Sequence, residues 1–285
     1  MSVRIIIDSA SDLTKTQADS FGAMYLPLKT IFGEEEYLDG VTLSHEQFYE
    51  KLIETDCMPT TSQIPPIEYE ELYKQVKTAG DTAVVITLSS KLSGCFQSAN
   101  IARDGYEDCI WLIDSKNVSL GEQILVQYAF HLRDEGKDAA EIAAALEQHK
   151  KDVRVVALFD TLEYLKRGGR ISNTAAIAGT LLSIKPVIAI ERGEVVILGK
   201  ARGSKNGNNM LREEIKKAGG VDFTMPYRLA YSGLDDTMLQ KYIVDNDSLW
   251  KEHAKELPIT TIGSTIGTHA GPGAIAVSFF ATKEA

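Results

Sequence analysis

Short apolar runs that end in a carboxylate or a hydroxyl, each followed by a helical stretch with its own start signal, constrain this chain's fold more than any other feature. Val3-Arg-Ile-Ile-Ile7 runs into Asp8-Ser9, Thr82-Ala-Val-Val-Ile-Thr-Leu88 into Ser89-Ser90, and Cys109-Ile-Trp-Leu-Ile-Asp114 into Ser115. Each is too short and too rich in β-branched residues for a helix and predicts a strand. Ser44-His-Glu-Gln47, Ser119-Leu-Gly-Glu122 and Asp138 with Glu141 carry the capping-box spacing that starts helices, and Gly22 and Gly136 are placed to stop them. A further helix is expected from Ser93 onward. Such βα alternation predicts a parallel sheet with helices on both faces, whose ligands sit beyond the carboxyl ends of the strands. Asp8-Ser9, the segment from Ser89 to Ser93, and Asp114-Ser115 should therefore converge.

Met24 to Phe32 and Glu36 to Leu38 suggest extended segments around a turn at Gly33. The pattern changes after Lys150, where we place a boundary between an N-terminal α/β domain (1–150) and a C-terminal mixed α/β domain (151–285). The second half predicts strands at Val153 to Phe159, Arg228 to Tyr231, Ile259 to Ile262 and Ala274 to Ala281. It also predicts a small-residue helix after Ser172, a hairpin around Glu191-Arg-Gly-Glu194, and helices from Ser204 to Ala218 and Asp236 to His253. At 285 residues, either one large α/β domain or two modest ones can enclose a core; the change of pattern favours two.

A net charge of −10 opposes a nucleic-acid role, and the one basic cluster along the chain, Lys200 to Lys205, is short. Three irregularly spaced cysteines suit reduced thiols in a cytoplasmic protein, not a disulfide framework or a zinc knuckle. No stretch reaches the roughly 20 apolar residues of a membrane-spanning helix. Neither phosphate-cradling glycine motif occurs, and His45-Glu46 lacks the second histidine of a zinc-protease pair, so neither a cofactor nor a metal is expected.

The residues with chemical potential lie in three clusters. Ser93 precedes Gly94 at the start of a helix. Residue type favours a capping role. A nucleophile elbow is poorly matched, because Lys91 and Cys95 occupy its glycine positions. A hydroxyl beside unobstructed main-chain N–H groups also suits an anion. Pro59-Thr-Thr-Ser-Gln63 is a second hydroxyl cluster, and Gly263-Ser-Thr-Ile-Gly-Thr-His-Ala-Gly-Pro-Gly273 predicts a flexible glycine loop carrying His269.

Taken together, Asp8-Ser-Ala-Ser-Asp-Leu13, Thr60-Thr-Ser-Gln63, Ser89-Ser-Lys-Leu-Ser-Gly94, Gly168-Gly-Arg-Ile-Ser172 with Lys185-Pro186, and His269-Ala-Gly-Pro-Gly-Ala274 resemble the DegV family in order and separation. The resemblance implies a two-domain fatty-acid-binding protein, similar to the binding subunit of bacterial fatty acid kinase. It implies that Thr61 and Ser93 hydrogen-bond the lipid carboxylate. His269 and Arg170 correspond to the family's histidine and arginine, and Arg202 to the arginine that acts with a separate ATP-dependent kinase. Ile64, Lys91 and Cys95-Phe96 depart from the family's usual residues and bear on loop shape and chain-length preference.

Burial of about fifteen methylenes at roughly 0.8 kcal/mol each gives on the order of 12 kcal/mol before association costs of about 4–15 kcal/mol. The carboxylate then needs donors to replace water, a task assigned to Thr61, Ser93 and the Gly94 amide. Arg170, Arg202 and His269 are expected to line the exit. The leading expectation is therefore a cytoplasmic carrier with no catalytic residues of its own. The alternatives are a serine hydrolase of acyl esters, with Ser93 as nucleophile, His269 as base and Asp8 or Asp114 as orienter, and a small-acid or phosphate sensor.

Overall fold

The computed structural model describes residues 2–171 and 184–282. The sequence alternation becomes a four-stranded, all-parallel sheet of β1 (Val3–Asp8), β2 (Met24–Leu26), β6 (Thr82–Thr87) and β7 (Ile110–Asp114), in the order β2-β1-β6-β7. Side chains alternate across a strand, and here both faces are covered, so the strand interiors are apolar on both sides, with Asp8, Thr87 and Asp114 at the carboxyl ends. Ile5, Ile7, Val84 and Ile86 pack against α5 (Leu120–Asp134) and α6 (Ala139–His149). Ile6, Ala83 and Val85 pack against α3 (Pro66–Thr78) and α4 (Cys95–Ala102). The capping boxes of α1 (Lys15–Ser20), α2 (His45–Glu54) and α6 are formed.

The second half builds a six-stranded mixed sheet from β8 (Val153–Leu158), β9 (Ile184–Glu191), β10 (Glu194–Arg202), β11 (Tyr227–Tyr231), β12 (Ile259–Thr261) and β13 (Ile275–Phe280). Its order is β10-β9-β8-β13-β11-β12, with only β11 and β12 parallel. Helix α5 lies between the sheets, touching β1 and β6 of one and β8, β11 and β13 of the other. The extended run from Met24 to Phe32 is split: β2 joins the parallel sheet, while β3 (Lys29–Phe32) pairs with β4 (Glu35–Leu38) and β5 (Thr60–Ser62) in a separate three-stranded sheet.

Between β8 and β9 lies α7 (Glu163–Arg167), and α8 (Ser204–Lys217) covers the six-stranded sheet with Leu211 and Ile215. The expected helix from Asp236 to His253 is two, α9 (Thr237–Asp245) and α10 (Asp247–Trp250). Asn246 interrupts it by donating its side-chain N–H to the Tyr242 carbonyl at 2.9 Å, the competition with main-chain bonding that makes asparagine a poor interior helix residue. The expected small-residue helix after Ser172 lies outside the described residues.

The glycine segment 263–273 is not a loop. Most of it is α11 (Ser264–Ala270), closed by Gly271 at φ +70°. Its first N–H groups are taken by distant carboxylates: Asp12 accepts from Gly263 N at 2.8 Å, and Asp39 accepts from Ser264 N at 2.9 Å and from its hydroxyl at 2.7 Å. Ser119 does not cap α5 through its side chain; at φ +58° its hydroxyl turns away and donates to Asp12.

The three strand ends do converge. Asp8 accepts from Ala10 N at 2.9 Å and Leu88 N at 3.0 Å, and Asp114 from Ser90 N at 3.1 Å, fixing the segment that leads to Ser93. Glu122 of α5 is fully buried beside Asp8, with no hydrogen-bond partner for either oxygen among the described residues. Burial first, and the Asp8 charge second, hold its carboxyl well above the usual range; burial likewise pushes Asp8 up to about 7. The folded chain therefore keeps a proton that the unfolded chain releases near the ordinary glutamate value of about 4.3, so this group's contribution falls as pH rises above that value. Glu122→Gln does not titrate. Urea denaturation should show the variant gaining on the parent as pH rises above about 5, by up to roughly 1.4 kcal/mol for each pH unit. A difference that stays constant with pH would show that Glu122 holds no proton in the fold.

Candidate functional site

A cavity of about 250 Å³ lies between the carboxyl ends of the parallel strands and the inner face of the six-stranded sheet. Its walls are mostly aliphatic, with Leu88 and Leu92 from the segment after β6, Val155 and Ala157 from β8, and Ile188 and Ile190 from β9. Thr61, Ser93, Gly94, Arg170 and His269, all singled out in the sequence, line it together. Arg202 does not: it is exposed at the end of β10, opposite Ile184.

Strand pairing explains how Thr61 arrives. It stands opposite Thr30 across β3 and β5, and the Thr30 hydroxyl bonds that of Ser264 at 2.9 Å, so the small sheet is fastened to α11. One and a half turns along α11, His269 Nε2 then meets Thr61 Oγ1 at 3.0 Å. Gly168 makes room for the ring: a Cβ there would fall 2.1 Å from His269 Nδ1. Arg170 donates from Nε to the Leu92 carbonyl at 3.0 Å and from a terminal nitrogen to the Gly168 carbonyl at 2.6 Å. Those bonds fix the guanidinium through two of its five N–H donors, and the others have no partner among the described residues.

Ser93 precedes α4, and the capping position itself belongs to Gly94. The Ser93 hydroxyl accepts from Cys95 N at 3.3 Å, a local turn that orients the side chain. Gly94 is packed under Gln63, whose Oε1 would lie 1.8 Å from a Cβ, while Gln63 Nε2 donates to Ser98 Oγ at 3.1 Å. Gln63, Gly168 and Thr265 are contributions that residue-type reasoning missed. All three lie inside quoted stretches, but residue type did not distinguish Thr265 from its neighbours: it lines the cavity with a buried hydroxyl that has no partner among the described residues.

Burial, reinforced by the Arg170 charge, pushes His269 down to about 4, so its imidazole is neutral near pH 7. Burial pushes the Cys95 thiol up to about 11, leaving it protonated and unreactive. Among the described residues the lining contains one permanent positive charge and no carboxylate. Such a site suits an anionic head on an apolar body. A hydrolytic triad is not assembled: His269 Nδ1 has no partner among the described residues, and the oxygens of Asp8 and Asp114 are engaged elsewhere. Among the described residues no group of three or more His, Cys, Asp or Glu side chains is placed to hold a metal ion, and no helix is long and apolar enough to cross a membrane.

This arrangement has relatives. A DegV domain-containing protein of Caldanaerobacter subterraneus subsp. tengcongensis is 35% identical over 283 residues, covering 97% of this chain and 98% of the relative. Among solved structures, one describing fatty acid binding of a DegV family protein from Thermus thermophilus superposes with a TM-score of 0.87 at 29% identity, covering 99% of this chain and 100% of the other. That of DegV from Bacillus subtilis, described as a fatty acid binding protein, gives a TM-score of 0.82 at 30% identity, covering 98% of each chain. The family model described as "Uncharacterised protein, DegV family" matches residues 2–282, and the chain belongs to the DegV family.

Proposed function

We propose that this protein binds one long-chain fatty acid in the cavity and presents its carboxylate to a separate ATP-dependent kinase for conversion to acyl phosphate, which feeds phospholipid synthesis. The protein acts in the cytoplasm as a carrier and makes no bond itself. In this reading the N-terminal domain (1–150) supplies the hydroxyl anchors and the C-terminal domain (151–285) most of the tail wall. The observation that carries the proposal is the lining: aliphatic walls, a cluster of Thr61, Ser93, Gly94, Arg170 and His269, and, among the described residues, no carboxylate to repel an anion. The fatty acids bound by the related Thermus and Bacillus proteins support the same assignment.

In this mechanism the tail provides affinity and the polar cluster orientation. Thr61 and Ser93 donate hydroxyl hydrogens to the carboxylate, with the Gly94 amide and an Arg170 N–H completing the replacement of water. A neutral His269 accepts or donates without placing a second charge in the cavity. Arg202, outside the cavity, is assigned to the kinase-facing surface with Arg170, where developing phosphoryl charge needs cations.

Denaturing extraction of the purified protein followed by mass spectrometry should release close to one equivalent of fatty acid, and lipid-free protein from several expression hosts would contradict the proposal. Thr61→Val with Ser93→Ala removes two charge-assisted hydrogen bonds and should weaken fatty acid binding about tenfold to a hundredfold in a competition assay while the fold persists. Unchanged affinity would remove both residues from the site. With a fatty acid kinase catalytic subunit, Arg202→Ala should keep full lipid binding and lose acyl phosphate formation; equal loss of both would contradict the assigned division of roles.

A further inference from the structure

A second concavity, of about 540 Å³, opens where β8 and β9 stop pairing. Their ladder consists of Val156↔Ala189, Ala157↔Ile188 and Leu158↔Val187, although β8 begins at Val153 and β9 continues to Glu191. Main-chain groups along the unpaired stretch of two interior strands lack the neighbour that a continued ladder would supply, an opening that water or a ligand must fill. Val153, Val155, Val156, Ile190 and Leu198 give the cleft an apolar floor, and α8 borders it through Glu214, Lys217 and Ala218. Val155 and Ile190 also line the first cavity, so the two spaces share a wall.

The rim has a charge opposite to that of the chain. Among the described residues, Lys116, Lys150, Lys151, Arg154, Arg192 and Lys217 line the cleft against only Glu191 and Glu214, in a protein of net charge −10. Three of the cations are engaged: Lys116 with Asp114 at 2.5 Å, Lys150 with Glu147 at 2.7 Å and Lys217 with Glu214 at 2.6 Å. Lys151, Arg154 and Arg192 have no carboxylate partner among the described residues, and the Arg154 guanidinium bonds only the main-chain carbonyls of Lys151 and Val153. Lys150, Lys151 and Arg154 are neighbours in sequence, but Lys116, Arg192 and Lys217 reach the same rim only through the fold. A concave wall of one sign concentrates potential, and guanidinium groups suit the multiple oxygens of phosphate.

We propose that this cleft is a second ligand site, for an amphiphile whose apolar body lies on the valine and isoleucine floor and whose phosphate head meets Lys151, Arg154 and Arg192. A single carboxylate would need one cation; three without carboxylate partners match a head group of higher charge. The head can belong to a soluble alkyl phosphate or to a phospholipid.

The test uses the full chain saturated with fatty acid, so that the first cavity is occupied. Octyl phosphate, titrated calorimetrically, should bind near one equivalent, and octyl glucoside, with the same tail and no charge, should not. Lys151→Glu with Arg192→Glu, both at exposed positions, should weaken octyl phosphate binding at least about tenfold while fatty acid content stays constant. Arg154→Gln should weaken it in the same direction. Vesicles of phosphatidylglycerol, compared with phosphatidylcholine, separate the sources: variant-sensitive binding to the anionic vesicles assigns the head group to phospholipid, and its absence alongside octyl phosphate binding assigns it to soluble phosphates. Failure to bind either phosphate probe, binding indifferent to charge reversal, or equal binding of octyl glucoside would overturn the proposal.

Discussion

Two buried aspartates from the first half of the chain, holding the opening N–H groups of a short helix from the far end, are the interaction on which the site depends. Asp12 and Asp39 replace the missing partners at the start of α11, and Ser264 extends the link to Thr30 on the small sheet. A helix of this length has little stability of its own. Its stability here comes from carboxylates removed from water, whose desolvation is offset by those N–H and hydroxyl donors. Burial pushes Asp12 up to about 8, a measure of how far from solvent the joint lies. The same joint sets the distance between Thr61 and His269.

Around that joint the molecule separates two tasks. Aliphatic side chains from the six-stranded sheet and from the segments that follow the parallel strands enclose a space that water occupies poorly, and a few polar groups at its border supply hydrogen-bond donors. The donors are neutral except for Arg170, and Arg170 is restrained by two carbonyls. Hydroxyl and imidazole in this site are oriented by each other and not by a carboxylate, an arrangement that suits the proposed holding of an anion.

Much of this was legible in the sequence. The apolar runs ending in Asp8, Ser89 and Asp114 predict the parallel sheet and the convergence of its strand ends, since strand period and cap chemistry are local properties. What failed locally was set by distant partners. The glycine segment around His269 looks flexible until Asp12 and Asp39 supply its cap from more than two hundred residues away. Ser119 has the spacing of a capping residue, but Asp12 claims its hydroxyl. Thr60 to Ser62 lacks the apolar alternation of a strand and becomes one because β3 offers an edge. Within the site, motif residues were identifiable as a group, whereas Thr265 and the opening between β8 and β9 arise from packing that no single stretch encodes.

The central claim is that the head group of a bound fatty acid is held, ionised and out of bulk water, by Thr61 and Ser93. Carbon-13 NMR of the protein carrying a carboxyl-labelled fatty acid reads that directly. The account predicts one sharp carboxyl resonance that stays at the ionised position between about pH 5 and 8 and moves when either hydroxyl is removed, because donors stabilise the charged form. A resonance that titrates like that of an exposed carboxylic acid, or that ignores both substitutions, would contradict it.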